Sequence, residues 1–227
     1  MISFPTKPDG ILELYLIRHA ESEGNINTGI VGGQSNHLQL TERGILQAKA
    51  LGEHFLQHNI FFDGIFCSTA ERAKATATTF SSYINFPADK IVYSDDLLEI
   101  SQGEWEGRPR VEVYTPEVLE RISSDVANFC PPSGESLRDV EKRMLNFIHH
   151  HIHFHPDKKQ RYAIVSHGTA LRCLIRAVLG FEYAMIFRVV LHNTSVTNLQ
   201  RTAKGWYLER LNDSQHLNKV GYYYGYY

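Results

Sequence analysis

The sequence predicts an α/β fold built on a largely parallel sheet. Two observations carry that prediction. Short apolar runs alternate along the chain with stretches of helical periodicity. The residues best suited to chemistry fall directly after the apolar runs, where an open α/β sheet places its ligands. No internal repeat points to a solenoid or propeller, and 227 residues are most simply one domain, 1–227.

The elements follow in order. Residues 11–17, ILELYLI, read as a buried strand. Residues 41–58 read as a helix that Thr41 caps, with Ile45, Ala48, Leu51 and Phe55 on one face. Residues 62–68, FDGIFCS, are a second strand, and 70–84 a helix despite threonines that lower its propensity. Residues 90–94, KIVYS, form a short third strand. From 102 to 134 glycines and prolines predict loop, with one short helix near 117–128. A longer helix follows, with Leu137, Val140, Met144, Phe147 and Ile148 on one face. Residues 162–168, YAIVSHG, are a fourth strand that runs into a helix stopped by Gly180. Residues 195–201 and 206–211 read as two antiparallel strands around Lys204-Gly205.

Composition narrows the classes. A net charge of −2 gives no global case for nucleic-acid binding. No apolar run approaches the roughly 20 residues of a membrane span. Cys67, Cys130 and Cys173 are odd in number and lack C-x-x-C spacing, so they read as free thiols of a reducing compartment. With no cationic segment and apolar core at the N-terminus, the expected location is cytoplasmic.

The polar residues at the strand ends define the chemistry. Arg18 and His19 follow the first strand, Ser68 and Arg72 the second, Glu99 the third, and His167 with Gly168 the fourth. Two arginines, two histidines and a carboxylate on one rim suggest a phosphoryl group, whose transfer needs positioning and charge stabilisation above all. Arginine offers a permanently charged fork that fits phosphate oxygens. A histidine with one ring nitrogen held and the other free is a nucleophile, and a carboxylic acid can protonate the leaving oxygen. Gly168, at a strand-to-helix turn, brings backbone N–H groups toward an anion. Alone, each of these residues reads as a surface ion pair or a structural histidine; the signal is their joint placement.

The stretches LIRHAESEGN, LTERGILQA, CSTAERAKATA, LLEISQGEWEGR, PPSGES and VSHGTALR together resemble the histidine phosphatase superfamily, the phosphoglycerate mutase-like fold. The resemblance implies a three-layer sandwich: a mainly parallel sheet, helices on both faces and a small cap insertion at about 100–135. It implies that His19 becomes a phosphohistidine, that Arg18, Arg72 and His167 cradle the phosphate, that Ser22 and Asn25 line the phosphate and substrate pocket, and that Glu99 is the proton donor. No metal and no cofactor are implied. Alanine follows the Arg-His pair where glycine is commonest, and Thr69 stands where proline is usual; neither replaces a charged group.

Mutases of the family resemble one another in a long basic insertion after the acid. The 100–132 segment is short for that, with Arg108, Arg110 and Arg121 as its cations. The expected activity is therefore hydrolysis of a small phosphorylated metabolite, with cofactor-dependent phosphoglycerate mutase-type transfer as the alternative. A metal-dependent hydrolase and a non-catalytic binding module are the rival classes. Trp105, Arg108, Arg110 and Tyr114 are candidates for substrate contact, set against packing under the cap. The run His149–His155 reads as a helix end, with the i, i+4 pair His149 and His153 as its metal alternative. The aromatic tail, about 213–227, reads as a frayed terminus or a self-association surface. The expected partners are the small substrate and a second copy in a homodimer, with neither nucleic acid nor membrane.

Overall fold

The computed structural model describes residues 10–220, the side chain of Lys219 excepted. In chain order the elements are β1 (Ile11–Arg18), α1 (Glu23–Ile26), α2 (Glu42–Gln57), β2 (Gly64–Ser68), α3 (Glu71–Tyr83), β3 (Val92–Ser94), α4 (Arg110–Val113), α5 (Pro116–Ser124), α6 (Leu137–His151), β4 (Lys159–Ser166), α7 (Gly168–Leu179), β5 (Val196–Thr202) and β6 (Gly205–Asp213), with short 3-10 turns between them. The six strands form one sheet in the order β3-β2-β4-β1-β5-β6. β1, β2, β3 and β4 run parallel, while β5 and β6 add an antiparallel edge.

Period-two alternation divides the sheet between two cores. Leu12, Leu14 and Leu16 of β1, Phe66 of β2 and Ile164 of β4 pack with α6 and α7. Ile17 of β1, Ile65 and Cys67 of β2, and Ala163 and Val165 of β4 pack with α2 and α3. The five positions expected on the buried face of α6 are its five buried residues. α7 stops where Gly180 turns left-handed at φ 76°. Cys67 and Cys173 are buried, Cys130 is exposed, and none is in a disulfide.

Several expectations are corrected. Ile45 is 43% exposed rather than in the core. The buried stripe of α2 runs instead through Gly44, Ala48, Leu51 and Phe55. At Gly44 the helix lies so close to the preceding loop that a Cβ would stand 2.0 Å from the Glu21 carbonyl oxygen. β4 begins at Lys159, not Tyr162, because Lys159 and Arg161 pair with Glu13 on β1 at 3.2 and 2.6 Å. β2 starts at Gly64, two residues later than expected. The 102–134 stretch holds α4 besides the expected short helix, which is α5. Residues 221–227, most of the aromatic tail, lie outside the described residues. Among the described residues no helix is long and apolar enough to cross a membrane.

Candidate active site

Three parallel strands end at one rim. β1 delivers Arg18, with His19 one residue beyond, where the ladder continues through His19 N–H to the Ser166 carbonyl at 2.9 Å. β2 ends at Ser68, and α3 starts at Glu71 with Arg72 in its first turn. β4 ends at Ser166, and His167 caps α7. Arg18, His19, Ser68, Arg72 and His167 are all buried.

Hydrogen bonds fix the tautomers of both histidines. His19 Nδ1 lies 2.7 Å from the Ala20 carbonyl, which can only accept, so Nδ1 carries the hydrogen. Nε2 is left with its lone pair, and Arg72 Nε donates to it at 3.3 Å. His167 is the opposite tautomer. Its Nδ1 accepts from Arg72 Nη2 at 3.0 Å, so Nε2–H donates to Ser68 Oγ at 2.8 Å. The rings lie 5.0 Å apart between centroids, and one guanidinium spans both lone pairs. Burial holds both imidazoles well below the usual histidine range. For His19 the Arg72 and Arg18 charges add to that effect and the bond to Ala20 opposes it. For His167 the Arg72 charge is the next cause. Both are therefore neutral at pH 7.

The arginines are held through backbone carbonyls. Arg72 donates to Ser35 O at 2.9 Å and Gly33 O at 3.4 Å. Arg18 donates to Leu191 O at 2.6 Å; burial, then the Arg172 guanidinium, bring its pKa down to about 10, with Glu99 opposing. Thr76 joins two parts of the site: its hydroxyl accepts from Ala20 N–H at 3.0 Å and donates to the Arg72 carbonyl at 2.7 Å.

Glu99 meets the start of α7. Its Oε1 accepts N–H bonds from Ile100 at 2.9 Å and Ala170 at 3.0 Å, and Oε2 accepts one from Thr169 at 3.0 Å. Oε1 thus has both lone pairs occupied, while Oε2 keeps one for a proton or a ligand. Two of the first amides of α7, those of Thr169 and Ala170, thus serve the Glu99 carboxyl. Gly168 borders the guanidinium groups, since a Cβ there would stand 3.6 Å from both Arg172 Nη1 and Arg18 Nε.

Ser22 and Asn25 face each other. Ser22 N–H and Oγ–H donate to Asn25 Oδ1 at 3.0 and 3.2 Å. Asn193 completes this corner, its Nδ2 donating to His19 O at 2.9 Å and to Asn25 Oδ1 at 3.1 Å. Sequence reasoning missed Asn193, which sits in a loop before β5 with no periodicity to mark it. It also missed Arg172 and Glu106, although both lie in stretches that it had singled out. Glu106 accepts from Gln34, Ser35 and Gln102 N–H at 3.0, 3.1 and 3.0 Å. It thereby fixes the loop whose carbonyls hold Arg72.

The four substrate-contact candidates are engaged within the 100–135 segment. Trp105 packs against Tyr114 and Phe129 with ring centroids 5.9 and 5.7 Å apart. Arg110 stands 4.8 Å over the Tyr114 ring, and Arg108 pairs with Glu112 at 3.9 Å. In the histidine run His149, His150 and His153 are exposed, and His151 stacks on Phe147 at 4.5 Å. Among the described residues no group of three or more His, Cys, Asp or Glu side chains is placed to hold a metal ion.

Known proteins match this chain over most of its length. A profile of the histidine phosphatase superfamily (branch 1) covers residues 14–214. A Hydrogenobacter thermophilus protein with the provisional name phosphoserine phosphatase 2 is 30% identical over 210 residues, 91% of this chain and 98% of that one. The 2,3-bisphosphoglycerate-dependent phosphoglycerate mutase of Bartonella henselae is 32% identical over 171 residues, 74% of this chain and 82% of the mutase. Among solved structures, the α-ribazole phosphatase of Shigella flexneri superposes with a TM-score of 0.74 at 27% identity, covering 89% of this chain and 96% of its own. A phosphoserine phosphatase mutant of Entamoeba histolytica, in complex with phosphoserine, gives 0.72 at 25%, covering 91% and 99%.

Proposed function

Because the chain belongs to the histidine phosphatase superfamily, we propose that it is a metal-independent hydrolase of small phosphomonoesters that works through a phosphohistidine at His19. The observation that carries this reading is the His19 ring itself. Nδ1–H is locked on the Ala20 carbonyl, and the Nε2 lone pair faces Arg72. A phosphoryl group entering there takes over guanidinium N–H donors that now rest on ring lone pairs. Arg18 and Arg72 supply the charge stabilisation that a metal would otherwise provide.

In the first step Nε2 bonds to phosphorus while the ester P–O bond breaks, and the Glu99 proton goes to the departing alkoxide. The Ala20 carbonyl supports the positive charge that forms on the ring. In the second step water attacks phosphorus, the N–P bond breaks, and the water proton passes to the Glu99 carboxylate. Inorganic phosphate and neutral His19 result. Water as acceptor is supported by the cap segment, whose Arg108, Arg110 and Arg121 stand on Glu112, Tyr114 and Phe129 rather than forming a paired cationic site. The likeness to bisphosphoglycerate-dependent mutases keeps phosphoryl transfer to a second phosphoglycerate as the alternative.

Two measurements test this reading. Enzyme trapped by quenching in alkali should carry an acid-labile, alkali-stable phosphate that His19→Ala abolishes, and equal labelling of that variant would remove His19 from the mechanism. Phosphate release after exhaustive chelation should exceed any phosphoglycerate interconversion with bisphosphoglycerate present. A faster interconversion would make the protein a mutase.

A further inference from the structure

We propose that Arg143, clamped by Glu135, is a positioning residue for the Glu99 carboxyl. The inference rests on the reading of Glu99 as proton donor and adds how that donor is held. Glu99 lies outside any helix or strand, in a loop between β3 and the cap segment, so its placement must come from tertiary bonds.

The Thr169 and Ala170 amides hold the carboxyl itself, and Arg143, from the middle of α6, holds the backbone that carries it. All five of its guanidinium N–H groups are matched by acceptors. Nη1 donates to the Asp96 and Leu98 carbonyls, both at 2.8 Å. Nη2 donates to the Glu99 carbonyl at 3.0 Å and to Glu135 Oε2 at 3.1 Å, and Nε donates to Glu135 Oε1 at 2.8 Å. The carboxylate end of this fork reaches the far side of Glu99, because Glu135 Oε2 also accepts from Ser101 N–H at 2.9 Å. One ion pair thus ties backbone groups at residues 96, 98, 99 and 101. The remaining carbonyl in the run, Leu97 O, accepts from Ser166 Oγ at 2.7 Å.

This network makes arginine the required residue. Only its planar fork can grip a carboxylate with two N–H groups and spread the other three over three carbonyls; an ammonium is a point charge with three donors. The fork is mostly shielded, with 15% of the Arg143 side chain exposed. A rival role is purely electrostatic, since the Arg143 charge is among the causes that lower the His167 pKa. A second rival is plain anchoring of the cap segment to α6. Neither singles out the acid step. Misplacing a donor by about 1 Å does, and slows proton transfer by one to two orders of magnitude.

The test is the first-turnover rate of His19 phosphorylation with two leaving groups, an alkyl phosphate that needs a proton and nitrophenyl phosphate that largely does not. Arg143→Lys keeps the charge and loses the fork. It should slow the alkyl burst about tenfold or more while the nitrophenyl burst changes less than about threefold. Placed on Glu99→Gln, it should add almost nothing to the alkyl loss, since both changes then act on the same step. Glu135→Gln should move both rates in the same direction by less, and it carries the test if Arg143→Lys fails to fold by circular dichroism. Wild-type behaviour of the variants, equal losses on both leaving groups, or full multiplication of the losses on Glu99→Gln overturns the proposal. If Glu99→Gln is itself blind to the leaving group, the proton-donor reading falls and takes this one with it. If Glu99→Gln is selective and the Arg143 and Glu135 variants are not, only the positioning role falls.

Discussion

Arg72, second residue of α3, and Arg110, first residue of α4, stand for two regions of the molecule. Arg72 is buried and donates to two imidazoles and two backbone carbonyls drawn from three separate parts of the chain. Arg110 is exposed and leans on its own helix neighbour, Tyr114. The contrast extends to their surroundings. The rim around Arg72 is the continuation of the sheet, and its polar groups are held by bonds that span most of the sequence. α5 buries no residue at all, and α4 buries only Val113. Next to α4 the backbone is attached by a short ladder, from Val31 N–H to Arg108 O at 2.8 Å and from Arg110 N–H to Gly29 O at 2.8 Å. The rigid region suits a reaction that depends on preorganised charge, and the lightly anchored one suits recognition of whatever carries the phosphate.

Removing the charge from the rigid region should give the largest effect. Arg72→Met should slow His19 phosphorylation by about 10²–10³, as for loss of a preorganised donor at an oxyanion, with alkyl and nitrophenyl esters hit alike. It should also change the pH profile. The nucleophile must be unprotonated, and its pKa is held down by burial first and by Arg72 next. In the wild type the acid limb of the burst rate should therefore lie well below pH 6.5. In Arg72→Met it should move up toward 6.5. A limb that stays in place would mean that Arg72 does not act on the His19 ring.

How far this contrast can be read from sequence depends on what holds each residue. Arg18, His19, Arg72, Glu99 and His167 are legible because apolar runs mark the strand ends and the quoted stretches match a family. The stripe of α6 is legible because its five buried positions follow helical spacing. Ile45 misleads because Gly44 permits a close approach that hydropathy does not encode. The first half of β4 is hidden because Lys159 and Arg161 are charged, and their partner Glu13 lies on β1, a neighbour in the sheet but far away in sequence. Asn193, Glu106 and Arg143 are illegible as site residues for a related reason: each acts largely on backbone atoms of loops, and loop backbone has no sequence period.

An intermediate effect concerns stability. Burial is the first cause lowering His19, His167, His54 and His192, and it brings His216 to about 4. In the unfolded chain these groups titrate near 6.5. Between the folded and unfolded values the unfolded chain binds more protons, so stability rises with pH there and is lost as pH falls from about 6.5 toward 4. Urea midpoints taken at pH 7.5, 6.5, 5.5 and 4.5 should fall, slightly over the first pair and more steeply below pH 6.5. His216→Gln, which removes one of these titrating groups, should soften the drop. A midpoint that is level down to pH 4.5 would show that the histidines are not held neutral by the fold.

The smallest effect belongs to the cap segment, and it is selective. Arg110 contributes an exposed cation–π contact with Tyr114, a geometry worth about 0.5–1 kcal/mol, so Arg110→Ala should leave the fold intact. Its backbone N–H, which joins the ladder to Gly29, is unaffected by the substitution. The nitrophenyl ester offers little for a cap residue to recognise, and its burst should change less than about twofold, as for a surface substitution. Across a panel of phosphorylated metabolites the same variant should alter KM for those with a second anionic group, by up to about tenfold for one lost exposed charge contact. kcat should hold, because an interaction made equally in ground and transition states changes binding without changing turnover. Arg121→Ala, whose guanidinium stands over Phe129 at 5.7 Å, serves as the comparison within the same segment. If Arg110→Ala instead lowers kcat for the nitrophenyl ester as Arg72→Met does, the cap segment reaches the reacting phosphate, and the division between a rigid chemical region and a light recognition region does not hold.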